Sequence, residues 1–136
     1  TVIDDFGHNP DKISATLDTL LAFPGRLLVF FQPHGFGPLK LIGDELAAVF
    51  AERLGSAHHL ALTDPVYFGG TVDKSRGGGW LAEQVAARGT PSHFFESRAA
   101  VGDWLASTAR AGDRIVIMGA RDDTLSIFAQ EVLTRI

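Results

Sequence analysis

Short, nearly continuous apolar runs alternate along this chain with stretches whose apolar residues recur every three or four positions. That alternation leaves few folds open. Strands read at 2–5, 27–31, 59–62, 94–95 and 114–118. Between them, Ile13, Leu17, Leu20 and Leu21 recur at helical spacing, as do Ile42, Leu46, Val49 and Phe50. The pattern returns with Leu81 and Val85, with Val101, Trp104 and Leu105, and with Leu125, Phe128, Ala129, Val132 and Leu133. Strands that alternate with helices of this length imply a parallel sheet with helices on both faces. The first, second and last strands are almost wholly apolar, as burial on both faces demands. The expected fold is a Rossmann-like α/β domain.

Composition narrows the function classes. A chain of 136 residues buries roughly two-thirds of its unfolded surface, enough for one core. A net charge of −4 argues against a nucleic-acid footprint, which is normally basic. No apolar run approaches the ~20 residues of a membrane span, and no signal segment opens the chain. The lack of cysteine excludes disulfides and thiolate metal sites and suits the cytosol. The chain opens at Thr1 with a strand almost at once, so residues 1–136 read as a single domain of a larger protein.

The richest segment is Asp4-Asp5-Phe6-Gly7-His8-Asn9-Pro10. It joins the end of a strand to the start of a helix, the edge of an open α/β sheet where ligands bind. Asn9 is a good N-cap, Pro10 suits the first helical position, and Gly7 permits a tight turn. Asp5 can accept hydrogen bonds from sugar hydroxyls. His8 can stack on a base or donate to a phosphate.

Asp5-Phe6-Gly7-His8-Asn9-Pro10 resembles the D-x-x-H-x-P signature that opens the C-terminal domain of the Mur ligases and folylpolyglutamate synthases. Leu28-Val29-Phe30-Phe31-Gln32-Pro33-His34 is similar to the strand-plus-F-Q-P-H segment of the UDP-N-acetylmuramate–L-alanine ligases. Leu62-Thr63-Asp64 and Val116-Ile117-Met118-Gly119-Ala120 follow in the same order. The resemblance implies the C-terminal domain of a three-domain, ATP-dependent, amide-forming ligase of peptidoglycan precursor synthesis. It implies Asp5, His8 and Asn9 as nucleotide contacts, with ATP and Mg2+ held mainly by a preceding central domain. The implied substrates are a UDP-muramoyl compound and an amino acid or peptide. The isolated domain is then expected to turn nothing over.

Two connections look longer than the fold requires, 32–40 and 63–79, and both follow strands. They offer His34, Lys40 and Lys74 as substrate contacts. The two arginines that follow F-Q-P-H in the alanine-adding enzymes are replaced here by Gly35-Phe36-Gly37-Pro38. Leu39-Lys40-Leu41-Ile42-Gly43 is instead similar to a run in the ligases that attach an intact murein tripeptide. The identity of the amine stays open. Arg76-Gly77-Gly78-Gly79 lacks the G-K-[ST] of a phosphate-binding loop. His58, His59 and His93 read as strand-edge residues, and Trp80 and Trp104 as packing residues on helices. Two other function classes compete. One is a receiver-like phosphoacceptor domain using Asp64, although no lysine follows the last strand. The other is a stand-alone nucleotide-binding module.

Overall fold

Strand β2, Leu27–Gln32, is buried along its whole length, so neither of its faces can carry an exposed polar side chain. Only a central strand covered on both sides meets that condition. In the computed structural model, which describes residues 1–5, 7–65, 76–119 and 123–136, the other strands are β1 (Val2–Asp5), β3 (His59–Leu62), β4 (Ser92–Phe94) and β5 (Arg114–Gly119). Among the described residues they form one parallel sheet in the order β1-β5-β2-β3-β4. The helices are α1 (Pro10–Leu21), α2 (Phe36–Leu54), α3 (Gly78–Ala87), α4 (Arg98–Thr108) and α5 (Asp123–Thr134). None of the described helices is long and apolar enough to cross a membrane.

The strand period of two divides the core. Leu27, Val29 and Phe31 pack with Ile13 and Leu17 of α1, Leu46 and Phe50 of α2, and Leu81 and Val85 of α3. Leu28 and Phe30 face the other way, onto Val101 and Leu105 of α4 and Leu125 and Phe128 of α5. Each such side chain contributes about 1.5–3 kcal/mol when fully buried, so the β2 register is strongly determined: a one-residue slip would exchange the two faces.

The order of the strands creates the site. The chain steps outward from β1 to β2, β3 and β4, with α1, α2 and α3 on one face. It then returns across the opposite face through α4 and inserts β5 between β1 and β2. The connection that leaves β5 for α5 therefore runs to the opposite face from those that leave its two neighbours, β1 and β2, for α1 and α2. In open α/β sheets that switch point leaves a crevice beyond the carboxyl ends of the strands.

Most of the expected elements are present, with two corrections. The weak fourth strand lies at Ser92–Phe94 and not at 94–95. It is a polar edge strand fixed by register against β3, with Ser92 opposite Leu60 and Phe94 opposite Leu62, so the apolar Phe94-Phe95 pair misplaced it. The connection expected at 32–40 is much shorter, because α2 begins at Phe36. Pro38 sits in its first turn, where a missing N–H has no partner to lose, and Leu39 N donates to Gly35 O at 3.1 Å. Lys40 is therefore a helical residue.

Candidate functional site at the carboxyl edge

The turn after β1 is built around one carboxylate. Asp5 Oδ1 accepts from Gly7 N at 2.6 Å, and Asp5 Oδ2 accepts from Thr16 Oγ1 of α1 at 3.0 Å. Gly7 is buried, and a Cβ there would lie 3.0 Å from Asp5 Oδ1 and 3.3 Å from Met118 Cε. Asn9 Oδ1 accepts from Lys12 N at 2.9 Å and caps α1. Asp5 and Asn9 thus fix the backbone on either side of His8.

Across the end of β5, Pro33 and His34 lead from β2 into α2. The His8 and His34 rings face each other with centroids 5.7 Å apart and planes tilted by 38°. His8 is half-buried and His34 exposed. Between them, Gly119 ends β5 at φ +122°, and a Cβ there would run into the backbone carbonyl of Gln32. Only glycine lets the two strands finish this close together. Beside His34, the N-cap of α2 is Gly35, which has no side chain to cap it, so the first N–H groups and helix dipole present partial positive charge. Two imidazoles next to a helix N-terminus suit an anionic group, a phosphate or a carboxylate.

Of the residues singled out from the sequence, Asp5, His8, Asn9 and His34 come together at this edge. Asp5 also lines a separate shallow hollow of about 310 Å³ with Ile3, Ala15, Thr16, Thr19 and Leu20. Lys40 lies one turn into α2, exposed. Lys74 and the turn at 120–122 lie outside the described residues. No three His, Cys, Asp or Glu side chains converge as metal ligands among the described residues. Asp64 Oδ1 accepts from Gly78 N at the start of α3, at 2.7 Å, so the receiver-like reading would need a carboxylate that already caps a helix.

Sequence reasoning did not single out Arg98. Its Nε donates to Gln32 Oε1 at 2.8 Å and its Nη1 to Thr124 Oγ1 at 2.6 Å. Gln32 Nε2 in turn donates to Asp64 O at 3.2 Å. A signal was present: Arg98 follows the cap Ser97 at the first helical position, where the helix dipole disfavours a cation. A residue placed against the dipole needs another reason to be there.

The family model of the Mur ligase, glutamate ligase domain, matches residues 1–121. The UDP-N-acetylmuramate–L-alanine ligase of Acidothermus cellulolyticus is 39% identical over 130 residues, covering 90% of this chain and 25% of that protein. The UDP-N-acetylmuramate–alanine ligase of Thermotoga maritima superposes with a TM-score of 0.72 at 20% identity, covering 98% of this chain and 26% of that one. The MurF ligase of the same organism, solved with ADP, gives a TM-score of 0.60 at 14% identity, with 99% and 30% covered. The chain spans about a quarter of the length of the curated relatives it matches.

Proposed function

The chain belongs to the Mur ligase family, within its glutamate ligase domain, and from that premise we propose that it serves an ATP-dependent ligase of peptidoglycan precursor synthesis. That ligase joins an amino acid or peptide to UDP-N-acetylmuramate through an acyl phosphate. ATP supplies the phosphoryl group that activates the muramoyl carboxylate, and the incoming amine then displaces phosphate. In this reading residues 1–136 are the C-terminal domain of a three-domain cytoplasmic enzyme. The observation that carries the proposal is the meeting of His8 and His34 at the switch point.

His8 donates to a phosphate oxygen of the nucleotide. Asp5 retains lone pairs beyond the two hydrogen bonds it accepts, available to a ribose hydroxyl, and Asn9 keeps its amide N–H groups. His34 and Lys40 contact the substrate, a role that the sequence also suggests for Lys74. Mg2+, when bound, would neutralise charge on the ATP phosphates, and its protein ligands would come from the preceding domain. On its own the domain turns nothing over, because these contacts only complete a nucleotide site held elsewhere.

The test uses the full-length protein with ATP, UDP-N-acetylmuramate and either L-alanine or murein tripeptide, following ADP release. His8→Ala is expected to raise the KM for ATP roughly tenfold, the loss of one hydrogen bond to a charged group. Its melting temperature should barely move, because the turn is braced by Asp5 and Asn9. ATP kinetics identical to those of the unmodified enzyme would remove the nucleotide assignment.

A further inference from the structure

A continuous polar chain crosses the carboxyl edge through Gln32, two residues before His34. It runs from Thr124 in the first turn of α5 to Arg98 at the start of α4, then to Gln32 at the end of β2. From there it reaches the Asp64 carbonyl after β3, and the Asp64 side chain holds the first amide of α3. Gln32 is the centre of this chain. It is only 4% exposed, and both ends of its side-chain amide are engaged, one by Arg98 and one by Asp64. Gln32 sits one peptide link before Pro33, which is itself buried, and Pro33 leads directly into His34. Proline fixes its own φ and so removes one of the rotations between Gln32 and His34.

We propose that Arg98 is a positioning residue for His34, acting through Gln32 on the Pro33-His34 turn and so on the substrate contact that turn makes. The inference rests on the reading of His34 as a substrate contact. Arg98 suits the role because its guanidinium is a rigid fork: Nε and Nη1 point to two different partners, on β2 and on α5. A lysine ammonium on a flexible stem cannot hold both at once. The arginine also accepts an unfavourable place in the helix dipole, which indicates that its partners lie off the helix. The four groups come from four separate stretches of chain, with Arg98 66 residues from Gln32 and 26 from Thr124.

The experiment uses the full-length protein with its histidines 13C-labelled at Cε1, the His34 resonance being identified by its loss in His34→Ala. Arg98→Met keeps the length of the side chain and removes the fork. It is expected to shift the His34 resonance and to raise the KM for the incoming amine, L-alanine or murein tripeptide, roughly tenfold. kcat should stay within about twofold, the pattern of lost binding and intact chemistry. Arg98→Lys should reproduce the KM defect. The double variant with His34→Ala should be no worse than His34→Ala alone, since the two residues act in series. A His34 resonance unmoved by Arg98→Met, or KM penalties that multiply in the double variant, would overturn the proposal. If His34→Ala alone leaves KM unchanged, the substrate role of His34 fails, while the resonance still decides whether Arg98 positions it. Should Arg98→Met not fold, Thr124→Ala removes one anchor of the fork and is read by the same resonance.

Discussion

At the amino end of the sheet, Arg26 grips Asp113 through Nε and Nη2 at 3.2 and 2.7 Å and also donates to the Thr108 carbonyl. Arg114 donates to the carbonyls of Leu20, Phe23 and Gly25. His58 Nδ1 accepts the amide of Leu27 at 2.9 Å. These contacts tie helix ends and loops to the starts of β2 and β5. At the carboxyl end, Asp5, Asn9, Gln32 and Asp64 also brace loops, yet they do so around two imidazoles that face each other across a gap at the switch point. Both edges are ordered by hydrogen bonds. They differ in that the amino edge uses its charged groups in an ion pair and in contacts to carbonyls, whereas the carboxyl edge brings His8 and His34 face to face.

The comparison breaks most visibly at Gly119, where the two imidazole-bearing turns are kept in register. Gly119→Ala places a side chain at φ +122° and against the backbone of Gln32. Strain and overpacking together should cost about 2–5 kcal/mol, read as a drop in the urea midpoint. Because β5 pairs with both neighbours here, the same variant should also disturb the His8 and His34 resonances.

Asp113→Ala is the matching probe of the opposite edge. It removes the carboxylate that holds Arg26 and that also accepts the Arg110 amide at 2.8 Å. Its side chain is 8% exposed and that of Arg26 24%, so the expected loss is about 1–3 kcal/mol of unfolding free energy. The KM for ATP in the full-length enzyme should not change. A variant that lost stability and ATP affinity in parallel would erase the division between the two edges. His8→Ala is expected to do the reverse.

Much of this could be read before any coordinates, and the reasons are local. The bounds of β1 and β3 are marked by apolar runs that stop at polar or turn-forming residues, and Asn9-Pro10 announces α1 in two letters. The start of α2 was hidden because Gly35-Phe36-Gly37-Pro38 carries loop composition, although proline is well tolerated in a first turn. That His8 would meet His34 was not legible. It depends on β5 inserting between β1 and β2 after the chain has crossed the sheet twice, and no local pattern encodes a strand order. Arg98 and Gln32 were missed for the same reason. Their contact spans 66 residues.

The smallest effect sharpens the comparison through pH. His58 is held below its usual pKa by burial and by the nearby Arg114 charge. His59 is lowered by burial, by Arg26 and by His93, with Asp113 opposing. His59 Nδ1 lies 3.4 Å from His93 Nε2 with the rings nearly parallel. For a base lowered on folding, the unfolded chain binds more protons, so stability rises with pH. Both histidines are neutral in both states well above pH 6.5, where they contribute no slope. As pH falls below 6.5 the unfolded state takes up protons first, and stability declines until the folded-state values are passed. Asp113 acts in a lower window. The Arg26 hydrogen bond, against the opposing effect of burial, holds its carboxyl below 3.8, so its contribution persists above that value and is lost as pH falls through the depressed one. Urea melts at pH 7.5, 6.5 and 5.5 should therefore show a small loss of stability over the first interval and a larger one over the second. His58→Gln keeps a side-chain acceptor for Leu27 N and cannot titrate, so it should flatten part of that fall. A melting midpoint that drops equally in both proteins would remove His58 as a source of the slope.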